Sequence, residues 1–513
     1  MVDLDSRSSF SSHSTALRDP VTYSKQGSTK DGEVSAYRGE HEETDNGLQR
    51  QSTFLERCQT RLSFFNSNLR PVRRNIVSRF IMNYIVMAVF MLSIFSIYWG
   101  SMFHKTDHQR YLRMLVLIED TETIDGIPPI FGDQLQRVLA TPQAKKIGEW
   151  HIYTPENFTS IEPKHANSRS EAVETLIHDQ RYWAALHVKP NATYELYKAV
   201  VAANKSYIAG NETWRNVYET GRDYVNVPTY VVKNCQSIQG MMLANQSSMT
   251  KSLFDAIRNK GEDASKIMED GWEVISQPLT FEVYDLRPVT DSTVLAPAQV
   301  GLIYMVLVTF FQISMFQELH TTVGKSGLKP RHILIYRLCS SLLSYFWLSL
   351  MYSLVSLAFQ IDFTRAFGRA GFVVYWMTNW MAMTAVGTMN ELAAHIFIMF
   401  APSVLGFWLN FWVIANISPS FTPMALTANF YHYGYAMPVY NAYEITKCIF
   451  FNTYRGHMGR CYGVLAAWIV VTNVALMLII PVFMRKMAAR AKAEAAKNAK
   501  QAAEKEKATN GDA

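Results

Sequence analysis

Charged residues are scarce in this sequence. Asp, Glu, Lys and Arg together make up 18% of its 513 residues, whereas soluble domains contain roughly 25%. The mean hydropathy is nevertheless close to zero, at -0.02, because polar tails and a large polar insert dilute several apolar runs. The composition is compatible with a membrane protein, and the lengths of the apolar runs indicate whether the chain can cross a membrane.

Motifs of catalysis and nucleotide binding are also missing. The sequence contains no CxxC, HExxH or GxSxG. Gly324, Lys325 and Ser326 match the end of a phosphate-binding Walker A loop, but Leu319 occupies the position of its first glycine. We therefore predict a protein that is not an enzyme, has no ATPase of its own, binds no cofactor or metal, and has no nucleic-acid partner.

Six apolar runs carry no formal charge, and each has the roughly 20 residues that a helix needs to cross a bilayer. We predict an α-helical polytopic membrane protein with six transmembrane helices, although any single run could be a buried core helix. The hexapeptide NELAAH, residues 390–395, is the predicted connection between the fourth and fifth helices. The predicted spans are 80–103, 292–317, 338–361, 371–390, 396–417 and 461–484.

Basic residues indicate the orientation. Clusters of Lys and Arg lie before the first run, between the second and third, and after the sixth. Such clusters favour the cytoplasmic side, so both termini are predicted to be cytoplasmic. Residues 104–291, here called the inserted domain, then lie on the opposite side. Five N-x-[ST] acceptors in this domain agree, since glycosylation requires a lumenal loop; they are Asn157, Asn191, Asn204, Asn211 and Asn245.

The segments outside the membrane differ in character. Residues 1–79 are predicted to be a disordered cytoplasmic tail ending in a basic flank, because most of this stretch is polar and poor in aromatic residues. The tail either controls trafficking through phosphorylation or is an inert solvated segment. The inserted domain alternates helical and strand periodicity, which predicts an extracytoplasmic α/β domain. Residues 485–513 are predicted to be a basic cytoplasmic tail that extends the last helix.

The connection of residues 418–460 is rich in aromatic residues and poor in charge. Within the five-helix membrane domain of residues 292–484, we predict it to be a re-entrant or interfacial element, with a helix near 438–452. Glu444 and Lys447 have the i,i+3 spacing of an ion pair. Cys448 and Cys461 are candidates for a disulfide, because secretory exposure permits one.

A few polar residues interrupt the apolar runs. Asn379, Asn473, Asn410 and Glu391 are candidates for the lining of a transport pathway. The alternative is that they form hydrogen bonds between helices, because intramembrane polar groups usually face other helices or a cavity. Glu391 and His395 are too few for a metal site.

The sequence resembles the fungal nitrosoguanidine-resistance membrane proteins. The matching segments are YDLRP (284–288), APAQVGLIYMVLVTFF (296–311) and GYAMPVYNAYE (434–444). That family is similar to the membrane subunits of ABC-2 exporters, in which the element between the last two spans re-enters the outer leaflet. The resemblance implies a plasma-membrane location, resistance to nitrosoguanidines and a link to lipid distribution.

Two classes of function follow. The first is an exporter-like plasma-membrane protein that contributes to drug resistance or lipid distribution, with membrane lipids and a small-molecule drug as ligands. It would be driven by a separate ATPase partner or by an ion gradient, and it could form a homodimer. The second is a non-transporting regulator or scaffold that affects lipid asymmetry or protein trafficking.

Overall fold

The computed structural model describes residues 70–204, 206–207, 209, 213–276 and 278–510. Five helices in this part of the chain are long and apolar enough to cross a membrane. The prediction of a helical, multi-pass membrane protein is therefore confirmed, whereas its count of six spans stays a prediction. The five are Arg70–Met102, Ser292–Lys325, Pro330–Ala358, Thr364–Phe400 and Met458–Ala502.

The amino-terminal tail lies outside the described residues up to position 69. Helix α1 extends over Arg70–Met102 and contains a π-helical turn at Met91–Phe95. The basic flank from Arg70 to Arg79 is thus helical, although the predicted tail included it. Good helix-forming residues without proline beyond the first turn allow the helix to begin there.

The inserted domain contains a five-stranded sheet. Its strands are β1 (Arg113–Ile118), β2 (Glu149–Tyr153), β3 (Ala184–Val188), β4 (Trp214–Tyr218) and β5 (Phe281–Asp285), in the order β2-β1-β3-β4-β5. Strands β2, β1 and β3 are parallel, β4 is antiparallel to β3, and β5 is parallel to β4. The first three strands lie in segments whose sequences predict strands, namely RYLRMLVLIED (110–120), GEWHIYT (148–154) and RYWAALHVKP (181–190).

Helices cover both faces of this sheet. Alternate side chains of β1 point to opposite faces, as a strand requires: Val116 and Ile118 join one buried cluster, while Leu115 and Leu117 join the other. The main helices are α2 (Ile130–Ala140), α3 (Pro142–Ile147), α4 (Arg169–His178), α5 (Ala192–Val201), α6 (Lys233–Ala244), α7 (Gln246–Asn259) and α8 (Ala264–Asp270), and short helices lie at Lys105–His108, Pro155–Phe158 and Trp272–Ser276.

The remaining helices form a bundle after the inserted domain. They are α9 (Gly301–Lys325), α10 (Pro330–Ala358), α11 (Gly371–Phe400), α12 (Leu405–Ile417), α13 (Pro438–Phe451) and α14 (Met458–Asn510), with a short helix at Thr364–Phe367. Helix α11 is central, because it packs against α9, α10, α12, α13 and α14. Helix α14 continues without a break into the basic tail, as predicted.

The predicted connection NELAAH is wrong, because these residues belong to α11. Asn390 and Glu391 are buried in the bundle, and the Asn390 side chain accepts a hydrogen bond from Trp408 Nε1 at 3.1 Å. The chain instead leaves the helix at Ala401, before Pro402, since a proline disfavours helical backbone in the residue before it. Helix α12 then has 13 residues, or about 20 Å of length, which is shorter than the roughly 30 Å hydrocarbon core.

Helix α13 closely matches the helix predicted near 438–452. Pro438 occupies its first turn, where proline is favoured because its missing N–H would have no helical partner. Asn452 ends it in the left-handed conformation, with φ of 54°, which is typical of a residue just past a helix. Nearly all its side chains are buried, so it is enclosed by protein rather than lying on a lipid surface.

Candidate functional site

Helix α13 joins the inserted domain to the bundle. On one side it packs against α11 and α14, and on the other against residues 220–222 of the inserted domain. Lys447 Nζ donates to the carbonyl of Arg222 at 2.9 Å, and Arg287 Nε donates to the carbonyl of Asn452 at 3.0 Å. A Cβ at Gly221 would lie 2.7 Å from the Cβ of Phe451, so the close approach of the two segments requires a glycine there.

A cavity of about 310 Å³ lies at this junction. The inserted domain contributes Arg113, Arg181 and Trp183 to its wall, while α13 and the first turn of α14 contribute Lys447 and Arg460. Pro419, Ser420 and residues 422–425, which follow the end of α12, also line the cavity. The cavity therefore lies at the level where membrane helices end and the inserted domain begins.

Two cations of the cavity lining, Arg222 and Lys447, are not exposed and have polar partners. Arg222 donates to the carbonyls of Tyr182 at 2.7 Å and Gln180 at 3.3 Å, and its guanidinium lies 3.5 Å from the centre of the Trp183 ring. Burial lowers the pKa of Arg222 to about 10, so it stays protonated at neutral pH. Lys447 forms the predicted ion pair with Glu444, with Nζ and Oε1 2.8 Å apart.

The two carboxylates of the lining, Asp223 and Glu444, both have partners. Asp223 accepts hydrogen bonds from the backbone and side chain of Asn226 at 2.9 and 3.0 Å. Burial raises the pKa of Asp223, against the opposing charge of Lys447. The lining of described residues thus carries five Arg and Lys side chains and two acidic ones, which gives it a net positive charge.

The three remaining cations of the lining are exposed residues. Within the described ranges, Arg113, Arg181 and Arg460 form no ion pair with a carboxylate. Arg113 and Arg460 lie over the rings of Tyr182 and Tyr435, at 5.3 and 5.5 Å from the ring centres. Such cation–π contacts are worth about 0.5–1 kcal/mol at exposed sites, so they orient these side chains while leaving their charge uncompensated.

Glu391, a predicted pathway residue, is instead the centre of a buried cluster in the bundle. Its carboxylate accepts hydrogen bonds from Ser341 Oγ at 2.6 Å and Tyr345 OH at 2.8 Å, and Arg337 Nη2 lies 3.3 Å from Oε2. All three partners belong to α10, while His395 Nδ1 lies 2.6 Å from the carbonyl of Glu391 itself. The cluster connects α10 with α11.

The predicted asparagines occupy three different environments. Asn379 is buried, and its Nδ2 donates to Ser353 Oγ on α10 at 2.9 Å. Asn410 is exposed and donates to the carbonyl of Gly406 in its own helix, and the partly buried Asn473 likewise donates to Ile469. The structure therefore brings Asn379 and Glu391 to the α10–α11 contact and leaves the other two apart from it.

The other predicted sites can also be located. Cys448 and Cys461 are free thiols, so the candidate disulfide is not formed; the Cys448 thiol instead donates to the carbonyl of Tyr454 at 3.2 Å. Asn211 lies outside the described residues. Three of the other acceptors, Asn157, Asn191 and Asn204, are exposed, whereas Asn245 is partly buried and donates to Met241. In the described part of the chain, no group of three or more His, Cys, Asp or Glu could hold a metal ion.

Sequence reasoning missed the cationic cavity. Its arginines come from positions between 113 and 460 and form no local motif. The one available signal was the helix of residues 438–451, which carries Glu444 and Lys447 inside an otherwise uncharged helix. A buried charged pair of this kind implies partners on another segment, but it does not identify them.

The comparisons with known proteins place the chain in a family. Residues 83–474 match a family described as protein of unknown function, DUF3533. An uncharacterized endoplasmic reticulum membrane protein of Saccharomyces cerevisiae is 34% identical over 443 residues, which cover 84% of this chain and 84% of the yeast protein. No solved structure matches the chain.

Proposed function

The chain belongs to the DUF3533 family and is a multi-pass integral membrane protein, and from this premise we propose that it is exporter-like and contributes to the distribution of lipids or amphiphilic drugs across the bilayer. The observation that carries the proposal is the cationic cavity at the ends of the membrane helices. Amphiphiles place their polar groups at this depth, so a cavity there can receive the head of a molecule whose tail stays in the bilayer.

The resemblance to nitrosoguanidine-resistance proteins and ABC-2 exporter subunits supports the same proposal. In this proposal the chain has no ATPase of its own, a separate ATPase supplies the energy, and a regulatory partner is a further candidate. The buried pair of Arg337 and Glu391 bears on the alternative of an ion gradient. Glu391 already accepts three hydrogen bonds, so a proton-coupled cycle would have to break this cluster.

Cells that lack the protein should accumulate more fluorescent phospholipid in the inner leaflet, or more nitrosoguanidine, than cells that express it. The physical reason is that an outward-moving protein lowers the steady-state level of its substrate inside. Uptake of labelled lipid and survival in the drug measure the two effects separately. Equal uptake and equal survival in both cell lines would contradict the proposal.

A non-transporting regulator or scaffold is the second candidate, and the polar residues of the bundle favour it. Asn379 and Glu391 form hydrogen bonds with α10, which is how intramembrane polar groups hold helices together. Liposomes containing the purified protein separate the candidates. Movement of labelled lipid or drug, with a pH gradient or with the partner ATPase present, supports the exporter, whereas cellular effects without any movement in liposomes support the regulator.

The proposed topology has six spans, with α12 and its neighbouring turns as the additional crossing and both termini cytoplasmic. The inserted domain is then glycosylated. Replacing Asn157, Asn191 and Asn204 by Gln should increase gel mobility, and glycosidase treatment should remove the difference from the wild-type chain. Replacing Asn245 should have a smaller effect because that side chain is partly buried. Unchanged mobility after glycosidase treatment of the wild-type chain would contradict this topology.

The resemblance implies the plasma membrane, while the yeast relative is described as an endoplasmic reticulum protein. We propose the plasma membrane as the site of action. A fluorescent fusion imaged beside markers of both membranes distinguishes the two locations. Chemical cross-linking of the same fusion in intact membranes tests the proposed homodimer.

A further inference from the structure

The three exposed arginines of the cavity come from different elements of the fold, and all three lack an ion-pair partner among the described residues. Arg113 begins β1, Arg181 precedes β3, and Arg460 lies in the first turn of α14. All three line the same cavity, and none forms an ion pair with a carboxylate in the part of the chain that the structure describes. Three cations around one small space repel each other, so an anion in that space would stabilise the arrangement.

The composition of the lining selects the kind of anion. Guanidinium groups present several N–H donors in a planar fork that matches phosphate oxygens. A phosphate monoester carries about -1.5 to -2 charges at neutral pH, so it would neutralise a large part of the lining's excess of cations over carboxylates. The cavity of about 310 Å³ lies at the lower end of the roughly 300–1,000 Å³ of ligand sites, so it is suited to a head group rather than to a whole lipid.

The position of the cavity agrees with this ligand. Ser420 lines it three residues after the end of α12, and Arg460 lines it in the first turn of α14. Tyr435 and Tyr440 add aromatic surface to the wall, and tyrosine is enriched where membranes meet water. A bound phosphate at this depth could remain attached to acyl chains in the bilayer.

We propose that this cavity binds the phosphate group of an anionic amphiphile, with Arg113, Arg181 and Arg460 as its charge partners. Arg222 and Lys447 add positive charge to the site, and their side chains are held by hydrogen bonds to backbone carbonyls. The proposal rests on the proposed function, for which it names the substrate class. The same chemistry would also recognise a soluble phosphate ester.

The test uses the full-length protein in nanodiscs of phosphatidylcholine that contain spin-labelled phosphatidic acid. The wild-type protein should immobilise phosphatidic acid more strongly than spin-labelled phosphatidylcholine. Replacing both Arg181 and Arg460 by Gln should weaken the association about tenfold or more for each arginine, because a hydrogen bond to a charged group contributes about one factor of ten. The matched control replaces Arg137 and Arg258, which are exposed elsewhere in the inserted domain, and should bind as the wild type does.

Competition distinguishes the two sources of phosphate. Displacement of the spin-labelled lipid by glycerol 3-phosphate or inorganic phosphate assigns the site to soluble phosphates, and resistance to both assigns it to lipid head groups. Equal immobilisation of the two lipids, or equal loss in the test and control variants, would overturn the proposal. Binding without any transport in liposomes would support the binding site and contradict the exporter function. Transport that is unaffected by the two Gln substitutions would support the exporter function and contradict this binding site.

Discussion

Replacing Glu391 by Ala is expected to lower the stability of the protein by about 3–5 kcal/mol, because it leaves a buried cation without its counter-charge. The side chains of Arg337 and Glu391 are 10% and 3% exposed. The substitution also removes the acceptor for the hydroxyls of Ser341 and Tyr345. Thermal unfolding of the purified full-length protein in detergent, followed by size-exclusion chromatography, measures the loss.

Two further variants show whether the charge is the cause. Replacing both Arg337 and Glu391 by Met should recover much of the lost stability, since an apolar pair of similar volume commonly replaces a buried ion pair without cost. Replacing the exposed Glu318 of α9 by Ala removes a carboxylate without unpairing a buried cation, and should change little. If Glu391→Ala unfolded at the wild-type temperature, the cluster would not hold α10 against α11.

Most of the membrane helices could be predicted because the signal is local. An uncharged run as long as the bilayer is thick forms a helix whatever surrounds it. The prediction of a connection at NELAAH failed because the stability of this segment depends on a residue far away in the sequence. A polar hexapeptide between apolar runs usually indicates a connection, but here Glu391 is stabilised inside the bundle by Arg337, which is 54 positions away. Hydropathy along the chain contains no information about that partner.

In the inserted domain and the cavity, too, features that depend on contacts between distant residues could not be predicted from the sequence. Strand-like local sequences predict β1, β2 and β3, which are parallel neighbours in the sheet. Strands β4 and β5 were missed because their short sequences alternate weakly and carry polar residues such as Asn216 and Glu282. The cavity depends on how the inserted domain docks on α13, and its arginines become neighbours only in the folded chain.

Lys447→Met is expected to weaken the docking of the inserted domain on the bundle by about 2–5 kcal/mol, the usual cost of truncating one partner of a buried charged pair. The Lys447 side chain is 6% exposed, and its ammonium serves both Glu444 and the carbonyl of Arg222. Methionine keeps much of the apolar length of the side chain but removes the ammonium that opposes the charges of Glu444 and Asp223, so that Arg222 is left to face both carboxylates. Faster proteolysis of the inserted domain, together with a lower unfolding temperature, measures the effect.

The pH dependence of this loss identifies its electrostatic origin. Burial already raises the pKa of Asp223, and removal of the nearby ammonium should raise it further. A carboxyl whose pKa is higher in the folded state than in the unfolded state stabilises folding when protonated, and this contribution is lost as the pH rises through the folded pKa. The deficit of Lys447→Met should therefore be larger at about pH 7.5 than at about pH 5. Lys251 is exposed, and Lys251→Met is the matched control, which should lose no stability at either pH. If Lys447→Met lost the same stability at both pH values, lost packing rather than an unpaired buried carboxylate would weaken the junction.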